Sequence, residues 1–251
     1  MLDKVRTRFW DVASCTYRQL LEEMENWRQA GVRGEYTCFC DAMGLAKGWR
    51  MSELRHAYRK AGVVLADGEA TKVLAKISGG NLPDRVIGPF LFPDAMEYGV
   101  KLGWRHYFYG TNQATLDKLK ARMEEQYPGI QIVGTYAPEY APDPAPPSGV
   151  DCDFFWVGLG NPKQEIWCMN HAKEINAVAC LPVGAVFDFY SGTVPHAPVW
   201  VHKLGCRWLW RLITGGKRTF KRNAWCVPRA AWILISEFVR IRLFRRPVSS
   251  F

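Results

Sequence analysis

The sequence predicts an α/β fold in which a mainly parallel β-sheet is covered by helices on both faces. Segments with strand character alternate along the chain with segments of helical periodicity, as they do in βαβ units. Several strand segments are continuous apolar runs, such as VVLA before Asp67 and FFWV before Gly158. Such runs are typical of strands that are buried on both faces, and they favour a parallel sheet between two helical layers.

The individual elements follow from apolar spacing and from turn residues. The first predicted helix covers 16–30, and the run EYTCFC that follows it is a predicted strand leading into a turn. Ser52 is the predicted N-cap of the next helix. The remaining predicted elements are, in order, a helix over 52–62, a strand over 63–70, a helix over 70–78, a strand over 104–112, a helix over 115–129, a strand over 130–137, a Pro-rich loop over 138–149, a strand over 153–160, a helix over 164–175, and a strand from 177 that leads into a loop around Asp188.

The composition is that of a globular protein. The chain has 251 residues, of which 48% are hydrophobic and 23% are charged. This length suits one large domain, or a domain with an appendage. No run of 18 apolar residues predicts a transmembrane helix, and the first residues lack the apolar centre of a signal peptide.

The eight cysteines do not predict a metal site. None forms a Cys-x-x-Cys pair, and no histidine stands at metal-ligand spacing beside them, so zinc is not expected. Cys152, Cys168 and Cys180 lie in apolar surroundings, where small core residues are the simplest interpretation. Free core cysteines suit a reducing cytoplasm.

The net charge of +9 originates in the C-terminal segment. Residues 201–251 contain 12 of the 33 lysines and arginines but only one of the 24 acidic residues, Glu237. The predicted division is therefore a core domain over 1–200 and a basic, aromatic appendage over 201–251.

Within that appendage, residues 224–246 predict a basic amphipathic helix. Its apolar side chains can share one broad face: Trp225, Val227, Ala231, Ile235, Phe238, Ile241 and Leu243. Helices of this kind bind in the plane of a membrane interface, and anionic lipid adds about 1 kcal/mol per nearby basic residue. The alternative is an ordinary helix packed on the domain. Nucleic-acid binding is not expected, because no motif for it accompanies the charge.

Four predicted strands end in similar residues. They end at Asp67-Gly68, at Gly110 to Asn112, at Gly158 to Gly160, and at Gly184, which precedes Asp188. Ligands of open α/β sheets bind beyond the carboxyl ends of the strands. The repetition therefore predicts a binding site at this edge.

Gly158 and Gly160 join a strand to a helix whose first turn carries Lys163, Gln164 and Glu165. Glycines allow the backbone to approach a ligand, and a helix N-terminus offers free N–H groups to phosphate. A plain strand–helix turn with capping side chains is the alternative. The third glycine of a dinucleotide fingerprint is missing, which disfavours a nicotinamide-dependent oxidoreductase.

Three charged residues add candidate chemistry. Asp67 follows a buried strand, where a carboxylate beside an apolar wall can act as a general base, although a turn-forming Asp-Gly is the alternative. Arg85 and Lys163 are possible phosphate partners. Asp188 lies between two phenylalanines and must find hydrogen bonds or a ligand.

Four segments in a fixed order are similar to the motifs of one enzyme family. They are ADG at 66–68, the stretch 108–134, VGLGNPKQEIW at 157–167 and VGAVFDFYSGTVPHAPVW at 183–200. Together they resemble the WecG/TagA/CpsF glycosyltransferases, glycosyltransferase family 26. The resemblance covers most of residues 15–225, and residues 158–210 are its most specific part.

The resemblance implies a Rossmann-like core and an inverting transferase that needs neither a metal nor a cofactor. Such an enzyme moves a hexose, of the glucose or N-acetylmannosamine type, from a UDP-sugar to a polyprenyl-diphosphate-linked sugar. The product belongs to a bacterial exopolysaccharide or cell-wall polymer. The expected location is peripheral, at the cytoplasmic face of the inner membrane, with the anionic membrane surface as a partner of the appendage. A homo-oligomer is left open.

The resemblance also implies roles for residues. Asp67 matches the catalytic base, Arg85 an arginine near the substrate phosphates, and Gln164 and Asp188 residues of the donor pocket. The predicted donor-binding set is Asp41, Arg85, Gly110, Asn112, Gly134, Gly158, Gly160, Lys163, Gln164, Glu165, Gly184 and Asp188. The arginines predicted to hold the acceptor diphosphate or the membrane are Arg207, Arg211, Arg218 and Arg222.

The chain departs from the family pattern at three places. A Thr-x-Asn segment reads Phe39-Cys40-Asp41, an arginine before Ala-Pro is His196, and a glutamate before Trp208 is Arg207. These changes leave the donor sugar undetermined. They also leave an alternative function, a non-catalytic protein of the same fold that binds a nucleotide sugar or a lipid diphosphate.

Overall fold

The structure, a computed structural model, describes residues 2–194 and 216–243. The strands of the described residues are β1 (Asp3–Arg6), β2 (Asp11–Ser14), β3 (Glu35–Cys40), β4 (Val63–Ala66), β5 (Arg105–Gly110), β6 (Gln131–Tyr136), β7 (Phe154–Gly158) and β8 (Ala179–Pro182). The α-helices are α1 (Tyr17–Gln29), α2 (Ala42–Arg50), α3 (Ser52–Lys60), α4 (Glu69–Ile77), α5 (Gly88–Leu102), α6 (Gln113–Gln126), α7 (Lys163–His171), α8 (Val186–Tyr190) and α9 (Gly216–Leu243).

Six of the strands form one parallel sheet in the order β4-β3-β8-β7-β5-β6. The predicted parallel sheet is therefore confirmed. The hairpin of β1 and β2 is separate from this sheet, and the sequence analysis did not predict it.

Helices cover both faces of the sheet, as predicted, because neighbouring strand residues point to opposite sides. On one face Phe155 packs with Trp167 of α7 and with residues of α3 and α4. On the other face Trp156 packs with Phe92 of α5 and with residues of α1, α6 and α8. Cys152, Cys168 and Cys180 are fully buried, which confirms their prediction as core residues.

Two predicted turns are helices instead. The turn expected after β3 is the start of α2, which Asp41 caps by accepting a hydrogen bond from the Gly44 N–H at 2.9 Å. The glycines of α2 serve helix packing, since a Cβ at Gly48 would lie 3.0 Å from the Trp10 ring. The loop expected around Asp188 is α8. Ser52 is the first residue of α3, and the N-cap is Met51.

The C-terminal helix α9 packs against α2 and α4. Cys226 contacts the buried Met43, and Ile233 joins the core on that face of the sheet. Glu237 is buried and is paired at 2.9 Å with Arg8. One side of α9 therefore packs on the domain, which is the alternative that the sequence left open. The domain boundary predicted at residue 200 lies outside the described residues.

The other side of α9 faces outward with large apolar side chains. Those that are exposed are Phe220, Val227, Trp232, Ile235, Phe238 and Leu243. Trp232 lies edge-on to Trp49 of α2, also exposed, with 5.4 Å between the ring centroids. In the described part of the chain, no helix has the length and apolar content needed to cross a membrane.

Gly110 is fixed by close strand pairing, and replacing it with alanine is expected to destabilise the fold. Gly110 pairs with Gly158 across β5 and β7, its φ is +117°, and an added Cβ would lie 2.7 Å from the Gly158 backbone. Overpacking and an unfavourable φ together predict a loss of about 2–4 kcal/mol in the free energy of unfolding. Urea denaturation of the wild type and of Gly110→Ala measures this loss.

Gly149→Ala is the matched control for this substitution. Gly149 also has a positive φ, +68°, but an added Cβ would meet no atom within 4 Å. Gly149→Ala should therefore lower the free energy of unfolding by about 1 kcal/mol, from the unfavourable φ alone. Equal losses for the two variants would contradict the packing role of Gly110.

Candidate active site

Two cavities meet at the carboxyl edge of the sheet. The larger, of about 310 Å³, lies between α2, α4 and α9. The smaller, of about 190 Å³, lies between the ends of β3, β7 and β8 and the start of α5. Four residues line both cavities: Asp41, Met43, Asp67 and Arg222.

Asp67 lies directly after β4 and is held in place by the backbone. Its N–H donates to the Cys40 carbonyl at 3.0 Å, and its Oδ1 accepts from the Gly88 N–H, the first residue of α5, at 3.1 Å. The carboxylate therefore has a fixed position at the junction of the cavities. This placement is what a base for an incoming hydroxyl group needs.

Three cationic side chains surround the junction. Arg85 lines the larger cavity, is 12% exposed and pairs with Glu69 at 3.0 Å. Lys47 of α2 lines the smaller cavity and donates to the Asn161 carbonyl at 3.0 Å, and burial lowers its pKa. Arg222 of α9 is exposed and reaches both cavities. Together they make this edge suitable for phosphate groups.

Gln164 connects two strand ends at the floor of the smaller cavity. Its Oε1 accepts from the Gly160 N–H at 2.9 Å, and its Nε2 donates to the Pro182 carbonyl at 2.9 Å and to Glu165 at 3.2 Å. These bonds tie the β7–α7 loop to the end of β8. Gln164 shapes the cavity, since its amide is already engaged.

Glu165 is a buried carboxyl group at the same cavity. Its side chain accepts from Gln164 through Oε1, whereas Oε2 is buried without a hydrogen-bond partner among the described residues. Burial raises its pKa to about 7. A protonated Glu165 can therefore donate a hydrogen bond, which an ionised carboxylate cannot.

The raised pKa of Glu165 predicts a pH-dependent stability that Glu165→Gln removes. The unfolded group titrates near 4.5 and the folded group at about 7, so the folded protein binds more protons between these values. The free energy of unfolding therefore falls by roughly 3 kcal/mol as pH rises from about 4.5 to 7, because the buried carboxyl group loses its proton.

Urea denaturation at pH 5 and pH 8 tests this prediction. The difference in unfolding free energy between the wild type and Glu165→Gln should shift in favour of the variant at pH 8. Glu125→Gln, an exposed carboxyl group of α6 outside both cavities, is the control and should show no such shift. A pH-independent difference for Glu165→Gln would contradict the buried, protonated state.

The predicted glycines divide into two groups. Gly160 and Gly184 line the smaller cavity, and both have positive φ, +80° and +60°. Gly158 instead packs beneath the Phe187 ring, and Gly110 packs against Gly158. Gly134 lies within β6 beside the Tyr107 ring, away from both cavities.

Several other predicted site residues point elsewhere. Lys163 donates to the Ala141 carbonyl and lies 5.2 Å from the centroid of the Tyr140 ring. Asn112 caps α6 through the Thr115 N–H. Asp188 is in α8 and lines neither cavity.

Three of the predicted appendage arginines cannot be placed at the site. Arg207 and Arg211 lie outside the described residues, as does His196. Arg218 is in the first turn of α9, and its side chain is not among those described. Arg222 is the fourth, and it borders both cavities.

Three features of the cavities were not predicted from the sequence: Lys47, Asn161 and the apolar wall that α9 contributes. Lys47 lies between the predicted turn and the helix predicted from Ser52, where no element was predicted. The helix α2 places it at the smaller cavity, which Asp41 also lines. Across the described ranges 2–194 and 216–243, no group of three or more His, Cys, Asp or Glu residues could hold a metal ion.

Comparison with known proteins relates this arrangement to one enzyme family. The chain is 26% identical over 178 residues to the N-acetylglucosaminyldiphosphoundecaprenol N-acetyl-beta-D-mannosaminyltransferase of Bacillus subtilis (strain 168), covering 69% of this chain and 68% of the relative. The enzyme of that name from Bacillus spizizenii (strain ATCC 23059 / NRRL B-14472 / W23) is 27% identical, with 63% of each chain covered. That from Staphylococcus aureus (strain NCTC 8325 / PS 47) is 22% identical, covering 63% of this chain and 64% of the relative.

A family model gives the same assignment over almost the whole chain. The model of the glycosyl transferase WecG/TagA/CpsF family matches residues 7–243, which include both cavities and α9. The resemblance inferred from the sequence motifs is confirmed. The chain therefore belongs to the WecG/TagA/CpsF family and is a glycosyltransferase.

Proposed function

We propose that the protein is an inverting glycosyltransferase that moves a hexose from a UDP-sugar to a sugar carried on a polyprenyl diphosphate. The observation that carries this proposal is the position of Asp67, one fixed carboxylate that borders both cavities. A transferase that brings two substrates together needs such a junction. The relatives, whose names describe transfer to a diphosphoundecaprenol-linked sugar, support the acceptor class.

The smaller cavity suits the UDP-sugar. The glycine backbone at Gly160 and Gly184 leaves room for a close approach, and α7 begins beside it. Lys47 supplies positive charge for the diphosphate, and Glu165 supplies a polar group for a sugar or ribose hydroxyl. The larger cavity, with apolar walls from α9, suits the lipid-linked acceptor.

The proposed reaction is a direct displacement. Asp67 accepts the proton of the acceptor hydroxyl group as its oxygen forms a bond to the anomeric carbon. The bond from that carbon to the UDP oxygen breaks, and UDP leaves with the electron pair from the opposite face, so the configuration inverts. Lys47 and Arg222 stabilise the developing negative charge on the diphosphate.

The outer face of α9 provides the proposed attachment to an anionic membrane surface. Trp232, Ile235 and Phe238 are about half exposed or more, and the exposed Arg242 lies 5.7 Å from the centroid of the Phe238 ring. Aromatic and basic residues in this combination bind at the membrane interface. We propose a peripheral location at the cytoplasmic face, where the lipid-linked acceptor is available.

The donor sugar remains a choice between glucose-type and N-acetylmannosamine-type hexoses. Phe39 lines the smaller cavity at one of the positions where the sequence departs from the family pattern. An aromatic ring there supplies apolar contact in place of a hydroxyl group. The donor specificity can therefore differ from that of the N-acetylmannosaminyltransferase relatives.

A panel of UDP-sugars incubated with polyprenyl-diphosphate monosaccharides tests the proposal. UDP release and the product mass should identify one preferred hexose, and the anomeric configuration of the product should be inverted. EDTA should leave the rate unchanged. Binding of UDP without product from any donor would favour the alternative, a non-catalytic binding protein, and would contradict the proposed activity.

A further inference from the structure

The larger cavity has the shape of an amphipathic groove, with a charged end and an apolar length. Its charged end contains the carboxylates of Asp41, Asp67 and Glu69 and the guanidinium groups of Arg85 and Arg222. From there the groove extends between α4 and α9. Its apolar walls are Met43, Ala70, Val227, Ala230, Ala231 and Leu234.

We propose that this groove holds up to the first two isoprene units of the acceptor, so that the enzyme recognises the hydrocarbon next to the diphosphate as well as the sugar. This inference rests on the proposed function. A charged end that includes Asp67 and two arginines, continued by an apolar length, matches an acceptor in which a reacting hydroxyl and a diphosphate are followed by a prenyl chain.

The size of the groove sets the length of chain it can take. At about 30 Å³ for each group of the size of water, a cavity of about 310 Å³ holds roughly ten such groups. Because the acceptor's diphosphate shares this volume at the charged end, the apolar length takes at most two isoprene units, which have ten carbon atoms. Three alanines in the walls keep the groove open, since a larger side chain at any of them would narrow it.

The part of the prenyl chain beyond the groove can leave the protein near Val227. Val227 is 38% exposed and lies at the rim of the groove, and the apolar residues of the outer face of α9 follow it along the helix. A longer prenyl chain would leave the groove beside the surface proposed to contact the bilayer. Recognition is therefore limited to the part of the lipid nearest the diphosphate.

Soluble acceptors that share one diphosphate-sugar head but differ in chain length test the proposal. Methyl, C5, C10 and C15 prenyl chains are compared by kcat/KM without membranes or detergent. Each methylene group removed from water strengthens binding about fourfold. The expected result is at least a tenfold rise in kcat/KM from methyl to C10 and little further change at C15. A flat series would overturn the proposal.

Substitutions on the two walls distinguish binding of the prenyl chain in the groove from a general effect of acceptor hydrophobicity. Val227→Trp narrows it from α9, and Ala70→Phe narrows it from α4. In each variant the ratio of kcat/KM for C10 over methyl should fall from at least ten to near one. Val133→Trp places the same bulk on exposed β6 and should keep the wild-type ratio. An unchanged ratio in both groove variants would overturn the proposal.

Two measurements keep this result distinct from a failure of the proposed function. The UDP affinity of each variant, measured by calorimetry, reports whether the fold and the smaller cavity are intact. If the wild type transfers sugar equally well to all chain lengths, the glycosyltransferase proposal stands and the groove proposal fails. If the wild type transfers sugar neither to these acceptors nor to full-length lipid acceptors, the proposed function itself fails.

Discussion

Asp67→Asn is expected to lower turnover about 10²–10⁴-fold while the affinity for UDP stays near that of the wild type. Asparagine has almost the same size as aspartate and can still accept the hydrogen bond from the Gly88 N–H through its amide oxygen. It cannot accept the proton of the acceptor hydroxyl. The loss should therefore appear in kcat, because the interaction removed is formed in the transition state.

The measurement is UDP release in the presence of a lipid-diphosphate acceptor, with UDP binding followed by calorimetry. Asp117→Asn, an exposed aspartate on α6 whose carboxylate accepts from Gln113, is the matched control and should retain full activity. Turnover near the wild-type value in Asp67→Asn would remove this residue from the role of base. A large loss of UDP affinity would instead make it a donor-binding residue.

The second large effect is expected at the membrane. Replacing Trp232 and Phe238 together by serine should lower binding to anionic vesicles at least tenfold. Both side chains are about half exposed on the outer face of α9, 57% and 49%. If each loses about 1 kcal/mol of apolar burial, the pair loses about 2 kcal/mol, and 1.4 kcal/mol corresponds to a factor of ten.

Co-sedimentation with vesicles of phosphatidylglycerol and phosphatidylcholine measures this effect. The control pair, Val133→Ser and Tyr140→Ser, removes exposed apolar side chains away from α9 and should bind as the wild type does. Activity on a soluble short-chain acceptor should survive the Trp232 and Phe238 substitutions. A different outcome would assign this face to a second copy of the chain. In that outcome vesicle binding is unchanged, the wild type self-associates in solution, and the two substitutions dissociate it.

The parallel sheet and the presence of cavities at its carboxyl edge could be predicted because they depend on local patterns. A run such as VVLA followed by Asp67-Gly68 contains both the buried strand and its end in adjacent residues. In parallel sheets the carboxyl ends lie at one edge, so these residues could be grouped without knowing the strand order. Their chemical assignment came from the family motifs.

Glycines were harder to interpret, because a glycine indicates a close approach but does not identify the neighbour. Gly158 and Gly160 were both predicted to approach UDP. In the structure Gly158 instead meets the Phe187 ring, whereas Gly160 borders the cavity. Likewise, a turn was predicted after β3, whereas in the structure Gly44 and Gly48 are part of α2 and admit the side chains of Trp10 and Tyr58.

Contacts between distant segments could not be predicted at all. Lys47 reaches Asn161 across 114 positions of sequence, and Arg222 reaches the junction because α9 packs on α2 and α4. The buried state of Glu165, which raises its pKa, also depends on packing by several elements. A single sequence gives no distance between such residues.

The most direct test of the account is a crystal structure of the protein with bound UDP. UDP should occupy the smaller cavity, with its diphosphate beside Gly160 and Lys47 and its terminal phosphate directed toward Asp67. UDP bound in the larger cavity, or at a site from which the Asp67 carboxylate faces away, would contradict the assignment of the two cavities and of the base.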